Sequence, residues 1–111
     1  MLFILELIPP TIKITSNGPP TIKEAYSITC TVSTLDLLIP HIKLQWTQQS
    51  SKESPISPLM TLNGEQTSTL MMTSLSTSDA GLYTCTATVS LADLELAVMN
   101  RTDHTLELKS E

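Results

Sequence analysis

The chain has 111 residues, of which 41% are hydrophobic and 15% are charged. This length fits one domain with a single core, and the hydrophobic content argues against a disordered tail. Six Lys and Arg residues against eleven Asp and Glu residues give a net charge of -5 and a pI near 4.8. Because phosphate binding requires clustered Lys and Arg, this balance argues against a nucleic-acid or anionic-membrane surface.

Residues 1–8, MLFILELI, open the chain with an apolar run that is interrupted by Glu6. The run has no basic start and no small-x-small cleavage pattern, so it does not match a signal peptide. It is also far shorter than the roughly 20 residues that a membrane-spanning helix needs. We interpret residues 1–8 as an N-terminal extension, either a first strand or the tail of a preceding domain, and residues 9–111 as the domain itself.

Alternating hydrophobicity predicts three strands in the first half of the domain. Residues 11–15 alternate with isoleucine on one face and predict an edge strand. Apolar residues at every second position from Tyr26 to Val32 predict a strand with one buried face. Ile42, Leu44 and Trp46 alternate with polar residues and predict a third strand with the indole facing inward. An unusually apolar connection, Leu35 to His41, precedes this third strand.

In the second half of the chain, the local residue pattern predicts two strands, before any family resemblance is considered. The segment from Gln48 to Pro58 is rich in Ser, Lys, Glu and Pro, which indicates an exposed loop or short edge structure. A brief strand is predicted over Leu59 to Leu62, and Asn63-Gly64 favours a hairpin turn after it. From Tyr83 to Val89 the odd positions are suited to a core, whereas Thr84, Thr86 and Thr88 suit a solvated sheet face.

The order Cys30, Trp46, then Asp79-Ala80-Gly81-Leu82-Tyr83-Thr84-Cys85 has a physical meaning in an antiparallel sandwich. Two cysteines on opposite sheets can bridge the core, an indole packs against the bridge, and a tyrosine two residues before the second cysteine can bond the preceding corner. From about Pro9 to about Lys109 the chain therefore resembles an immunoglobulin-like domain. With 38 residues between Trp46 and Cys85, it resembles the intermediate-set or C2-like type rather than the variable type.

This resemblance implies an all-β fold, a two-sheet antiparallel immunoglobulin-like sandwich with one inter-sheet disulfide between Cys30 and Cys85. A disulfide implies an oxidising compartment. The alternative is a pair of reduced core thiols, as in some intracellular members of the family. The core signature is then Trp46, Asp79, Gly81 and Tyr83. The resemblance also places Leu70, Met72 and Leu75 on the inward side of the fifth strand of the family, strand E. It places Leu106 and Leu108 on the last strand, strand G.

Domains of this kind occur in cell-adhesion molecules and cell-surface receptors, including receptor tyrosine kinases, usually in tandem. The resemblance implies a non-catalytic extracellular recognition domain, a fragment of a membrane-anchored or secreted protein, whose partner is a protein, a second copy of itself or a neighbouring immunoglobulin-like domain. The alternative is a structural spacer in a tandem array without its own ligand. The likeness of residues 3–7, FILEL, to residues 105–109, TLELK, is what suggests a preceding domain.

The candidate binding surface follows from the loops. In such a sandwich the B–C and F–G loops meet at one end, and the F–G loop is predicted over Leu91 to Arg101. Two apolar loops at one end would expose more hydrophobic surface than monomers usually tolerate, which marks an interaction site. The candidate partner-binding residues are Leu35, Leu37, Leu38, Ile39, Leu94, Leu96, Val98 and Met99. One alternative is that half of these residues fold inward or extend the hairpin between strands F and G. Another is that the face of the sheet formed by strands G, F and C, or a sheet edge, mediates self-association.

The sequence offers little for catalysis. It contains no G-x-S-x-G, no glycine loop for phosphate and no H-E-x-x-H pattern. His41 and His104 are predicted in separate loops, so no metal site, cofactor or small-molecule substrate is expected. Asn100-Arg101-Thr102 fits the N-glycosylation pattern, and the alternative is an ordinary asparagine in a hairpin turn.

Overall fold

The computed structural model describes residues 9–50, 53, 55–91 and 96–108, so the N-terminal extension lies outside the described residues. The described residues form seven strands and two short 3₁₀ helices. The helices are Asp36–His41 and Thr77–Asp79. The strands are β1 (Thr11–Ser16), β2 (Tyr26–Ser33), β3 (Ile42–Gln49), β4 (Ser57–Asn63), β5 (Thr67–Met72), β6 (Gly81–Leu91) and β7 (Leu96–Leu106).

The strands form two antiparallel sheets that face each other across the core. One sheet has the order β1-β2-β5 and the other has the order β4-β3-β6-β7. Cys30 of β2 and Cys85 of β6 form a disulfide that joins the two sheets. The predicted all-β sandwich with one inter-sheet disulfide is therefore confirmed.

The period-two pattern explains the core. Trp46 of β3 is fully buried and pairs opposite Cys85, so the indole lies beside the disulfide. The threonines of β6 at positions 84, 86 and 88 lie on the outward side, as predicted. The buried apolar residues are Tyr26, Ile28, Cys30, Val32, Leu38, Ile42, Leu44, Trp46, Leu75, Tyr83, Cys85, Ala87, Val89 and Leu106. Leu75 lies beyond the end of β5 and Leu108 lies beyond the end of β7.

The corner before β6 is closed by hydrogen bonds, as the motif predicts. The Tyr83 hydroxyl donates to the backbone carbonyl of Asp79 at 2.5 Å, and the Asp79 carboxylate accepts from the Ser76 N–H at 2.9 Å. Burial, followed by the nearby Asp79 charge, raises the pKa of Tyr83 to about 12. Gly81 has φ +138°, and a Cβ there would lie 2.6 Å from the Gln49 carbonyl oxygen. Only glycine fits this position.

The predicted hairpin turn at Asn63-Gly64 is wrong. β4 pairs with β3, whereas β5 pairs with β2, so residues 64–66 cross from one sheet to the other. Gly64 does take a positive φ of 75°, as the dipeptide favours. β4 pairs with β3 rather than with β5 because this pairing places Met60 opposite Trp46, where the methionine packs on the core.

The predicted F–G loop is also wrong over most of its length. β6 and β7 pair continuously from Gly81 opposite Leu106 to Leu91 opposite Leu96. Positions 96–101 are therefore strand rather than loop. The reason is that Val98 pairs with the buried Val89, and both Leu91 and Val98 pack on the core. Inward packing of these side chains stabilises an extended hairpin.

Candidate functional site

One end of the sandwich carries most of the predicted partner-binding residues. The last β3–β6 pair is Ile42 with Val89, and the β6–β7 hairpin continues past it. The Asp36–His41 helix precedes Ile42 directly and packs against β6. The helix and the hairpin end therefore lie together. We call residues 35–41, 90, 91 and 96–99 the tip.

The helix holds its leucines in opposite environments. Leu38 is only 4% exposed, and its N–H donates to the Leu35 carbonyl at 2.9 Å. Leu35 and Leu37 are 66% and 72% exposed. Because Leu38 anchors the turn in the core, the side chains on either side of it are left at the surface.

The hairpin part of the tip is mostly turned inward. Leu96 and Val98 are half-buried and Val98 packs on the core, as does the half-buried Ile39 of the helix. Met99 is 63% exposed but pairs opposite Thr88, so it belongs to the outward side of the sheet. Leu94 lies outside the described residues. The seven candidate residues that the structure describes therefore form no single exposed surface. The exposed pair that remains is Leu37 of the helix and Leu35, which directly precedes the helix.

The comparison with protein families agrees with the core geometry. A family model described as immunoglobulin domain matches residues 9–88. The chain belongs to the immunoglobulin domain family. Members of this family are generally non-catalytic and have interaction or structural roles. No curated protein sequence matches the chain.

The first described strand, β1, begins at the tip of this immunoglobulin domain. Thr11 pairs opposite Ser33, the last residue of β2, so Pro10 lies at the end where the Asp36–His41 helix begins. The Asn100 side-chain amide donates to the Pro10 carbonyl at 3.0 Å, and the Thr102 hydroxyl donates to the Ile12 carbonyl at 3.4 Å. Asn100 thus sits in β7 rather than in a turn, and both side chains of the sequon hold β1 against β7.

One buried polar residue of the immunoglobulin domain, Ser68, was not predicted from the sequence. Ser68 of β5 is buried, and its hydroxyl accepts the Trp46 indole N–H at 3.0 Å across the core. The same hydroxyl lies 3.4 Å from the Met60 sulfur, to which it donates. A buried tryptophan generally needs an acceptor for its N–H. The period-two pattern puts Ser68 on the inward side with Leu70, so this signal was present in the sequence.

His104 was predicted in a loop but lies on the inward side of β7. Its Nε2 lies 2.9 Å from the Tyr26 hydroxyl, and the two rings stack at 6.4 Å. The hydrogen bond joins the two sheets because Tyr26 belongs to β2. Among the described residues, no group of three or more His, Cys, Asp or Glu side chains is arranged to hold a metal ion. Within residues 9–50, 53, 55–91 and 96–108, no helix has the length and hydropathy that a membrane span requires.

Proposed function

We propose that this immunoglobulin domain is a non-catalytic recognition domain in the extracellular part of a cell-surface receptor or adhesion protein. Its protein partner contacts Leu35 and Leu37 at the tip. The observation that carries this proposal is the exposure of both leucines beside the buried Leu38. A partner that covers these two side chains would remove apolar surface from water, which favours association.

The extracellular setting is supported by the disulfide, because disulfides persist in oxidising compartments. We also propose that Asn100 carries an N-linked glycan in the natural source, since the sequon requires the same secretory route. Protein isolated from that source should show no free thiol after denaturation and should lose mass on treatment with an N-glycosidase. Two reactive thiols in the denatured protein would exclude the extracellular assignment.

The test of the binding surface is a cell-binding assay with matched variants. The domain is displayed as a multimer and its binding to a panel of live cells is titrated, so that weak contacts add by avidity. We expect Leu37→Ser to weaken binding about tenfold or more, since exposed anchors at an interface centre dominate affinity. Met71→Ser is the control, because Met71 is 78% exposed on β5. Equal binding of Leu37→Ser and the wild type would exclude the tip.

The second candidate is a spacer in a tandem array, which is favoured by the start of β1 at the tip. A preceding domain joined near Pro10 would cover Leu35 and Leu37, so that no separate protein partner could contact them. A spacer would show no saturable binding in the cell assay. In a longer tandem polypeptide, a Leu37→Cys variant would also react with iodoacetamide more slowly than in the isolated domain, whereas Met71→Cys would react equally in both.

A further inference from the structure

The chain contains two Asn-Gly pairs, Asn17-Gly18 and Asn63-Gly64. An asparagine that precedes glycine is prone to spontaneous deamidation, in which the next backbone nitrogen attacks the side-chain amide carbon. Glycine favours this attack because it has no Cβ to hinder the approach and its backbone rotates freely. Since the two pairs consist of the same residue types, a difference in their reactivity must come from the folded structure.

The attacking nitrogen of the second pair is held in a hydrogen bond. Asn63 is the last residue of β4 and pairs opposite Lys43 of β3. The Gly64 N–H donates to the Ile42 carbonyl at 2.8 Å. A Cβ at Gly64 would lie 3.9 Å from the Pro40 carbonyl oxygen, so the main chain at Pro40 backs this turn. To attack Asn63, the Gly64 nitrogen must lose its proton and give up the hydrogen bond to Ile42.

The first pair has the opposite arrangement. Among the described residues, the Gly18 N–H donates no hydrogen bond, and a Cβ at Gly18 would meet no atom within 4 Å beyond its chain neighbours. The Asn17 side-chain oxygen Oδ1, by contrast, accepts from the Ser27 N–H at 3.0 Å. The Asn17 N–H donates to the Ser27 carbonyl at 3.2 Å. The attacking nitrogen is therefore free and exposed, whereas the carbonyl group that it attacks is held by a donor.

We infer that Asn17 is a site of spontaneous deamidation and that the fold protects Asn63. Hydroxide takes the proton of the Gly18 N–H, and the nitrogen forms a bond to Cγ of Asn17. The Ser27 N–H stabilises the negative charge that develops on Oδ1, because it already donates to this oxygen. The bond from Cγ to Nδ2 then breaks, and Nδ2 takes a proton from water and leaves as ammonia. Water opens the remaining succinimide ring at either carbonyl, which gives aspartate or isoaspartate.

The end of β1 can accommodate both products. β1 ends at Ser16, so the additional main-chain carbon of an isoaspartate at position 17 lies outside the strand and its pairing with β2. The open space around Gly18 leaves room for that carbon. Oδ1 becomes a carboxylate oxygen in aspartate and a main-chain carbonyl oxygen in isoaspartate, and both can accept the Ser27 N–H. The domain therefore keeps its fold and gains one negative charge beyond the -5 of the chain.

Asn17 lies at the end of the sandwich away from the tip, since β1 begins at the tip with Thr11 and ends with Ser16. Deamidation of Asn17 is therefore independent of any contact that a partner makes with Leu35 and Leu37. The new carboxylate changes the charge of the opposite end with time and leaves the tip unchanged.

The experiment follows both asparagines while the oxidised domain is incubated at mildly alkaline pH, where backbone amides lose their protons more readily. Peptide mass spectrometry measures the deamidated fraction at each position, and enzymatic methylation of isoaspartate identifies that product. We expect Asn17 to deamidate at least about tenfold faster than Asn63, because the Gly64 nitrogen must first give up a hydrogen bond. In the reduced, urea-unfolded chain the two rates should agree within about threefold, since the protecting contacts are then lost.

Asn17→Gln is the control variant, because a glutamine side chain is one carbon longer and closes the ring far more slowly. It should abolish deamidation at position 17 and leave the slow rate at Asn63 unchanged. Circular dichroism checks that the domain stays folded during the incubation. Equal rates at the two positions in the folded domain, or a faster rate at Asn63, would overturn the inference. A folded domain in which Asn17 reacts far more slowly than in the unfolded chain would also overturn it, since its hydrogen bonds would then protect it.

Discussion

The two ends of the sandwich are closed in different ways. At the corner before β6, hydrogen bonds complete the structure, because the Tyr83 hydroxyl bonds the Asp79 carbonyl and the Asp79 carboxylate bonds the Ser76 N–H. At the tip, packing completes it instead, since Leu38 fills the core while Leu37 stays exposed. The corner therefore has polar groups that bond one another, whereas the tip leaves Leu35 and Leu37 exposed.

The disulfide lies between the two ends and joins the two sheets, and its removal should have the largest effect on stability. Cys30→Ala/Cys85→Ala releases a link across 55 residues, which should lower the free energy of unfolding by about 4 kcal/mol. Urea unfolding followed by Trp46 fluorescence measures this. A loss below about 1 kcal/mol would show that the packing around Trp46 suffices without the disulfide.

Within the tip, adjacent leucines should behave oppositely. Leu38→Ala should lower the free energy of unfolding by about 2–4 kcal/mol, because it opens a cavity in the core. Leu37→Ala should change it by less than about 0.5 kcal/mol, since its side chain is already in water. Urea midpoints of the two variants compare them directly. Equal losses would mean that Leu37 supports the fold and is not a free contact.

In the core between the two ends, Ser68→Ala should lower the free energy of unfolding by about 1–3 kcal/mol. The substitution leaves the buried Trp46 indole N–H without its acceptor. Ser90→Ala is the control, because Ser90 is exposed on β6 and should cost less than about 0.5 kcal/mol. Thermal or urea unfolding decides between them. A neutral Ser68→Ala would mean that the Trp46 N–H does not need the hydroxyl.

At the corner, Tyr83→Phe should lower the free energy of unfolding near neutral pH by about 1 kcal/mol, the contribution of one hydrogen bond. Its pH dependence is more informative. The folded pKa of about 12 exceeds the ordinary value of about 10, so the unfolded chain ionises first as pH rises. The stabilisation is complete below about pH 10 and is lost through about pH 12.

Unfolding measured between those pH values should therefore show the wild type losing stability faster than Tyr83→Phe. Parallel pH profiles would contradict a raised tyrosine pKa in the folded state. They would also weaken the contrast between a polar corner and an apolar tip, because the corner would then owe little to its buried hydroxyl.

The candidate site was only partly predictable. The apolar character of the Leu35–His41 connection was visible in the sequence, but Leu37 and Leu38 are the same residue type and their environments differ by one step of a 3₁₀ turn. Val98 looked like a loop residue until its pairing with Val89 was known. Whether an apolar side chain is buried depends on which residues pack against it, and residue type alone does not specify those neighbours.

The sequence by itself determined the class of fold, the strands around Cys30, Trp46 and Cys85, and the tyrosine at the corner. The strands follow from period-two burial, which is a local property of the chain, whereas the sandwich and the corner tyrosine follow from the family resemblance that the order of Cys30, Trp46 and Cys85 carries. Only the tertiary structure decided that β4 pairs with β3, that the β6–β7 hairpin reaches Leu91, and that Ser68 meets Trp46. Ser68 and Trp46 lie 22 positions apart in sequence, and the hairpin extends because Leu91 and Val98 pack on the core, so packing between the two sheets selects these contacts.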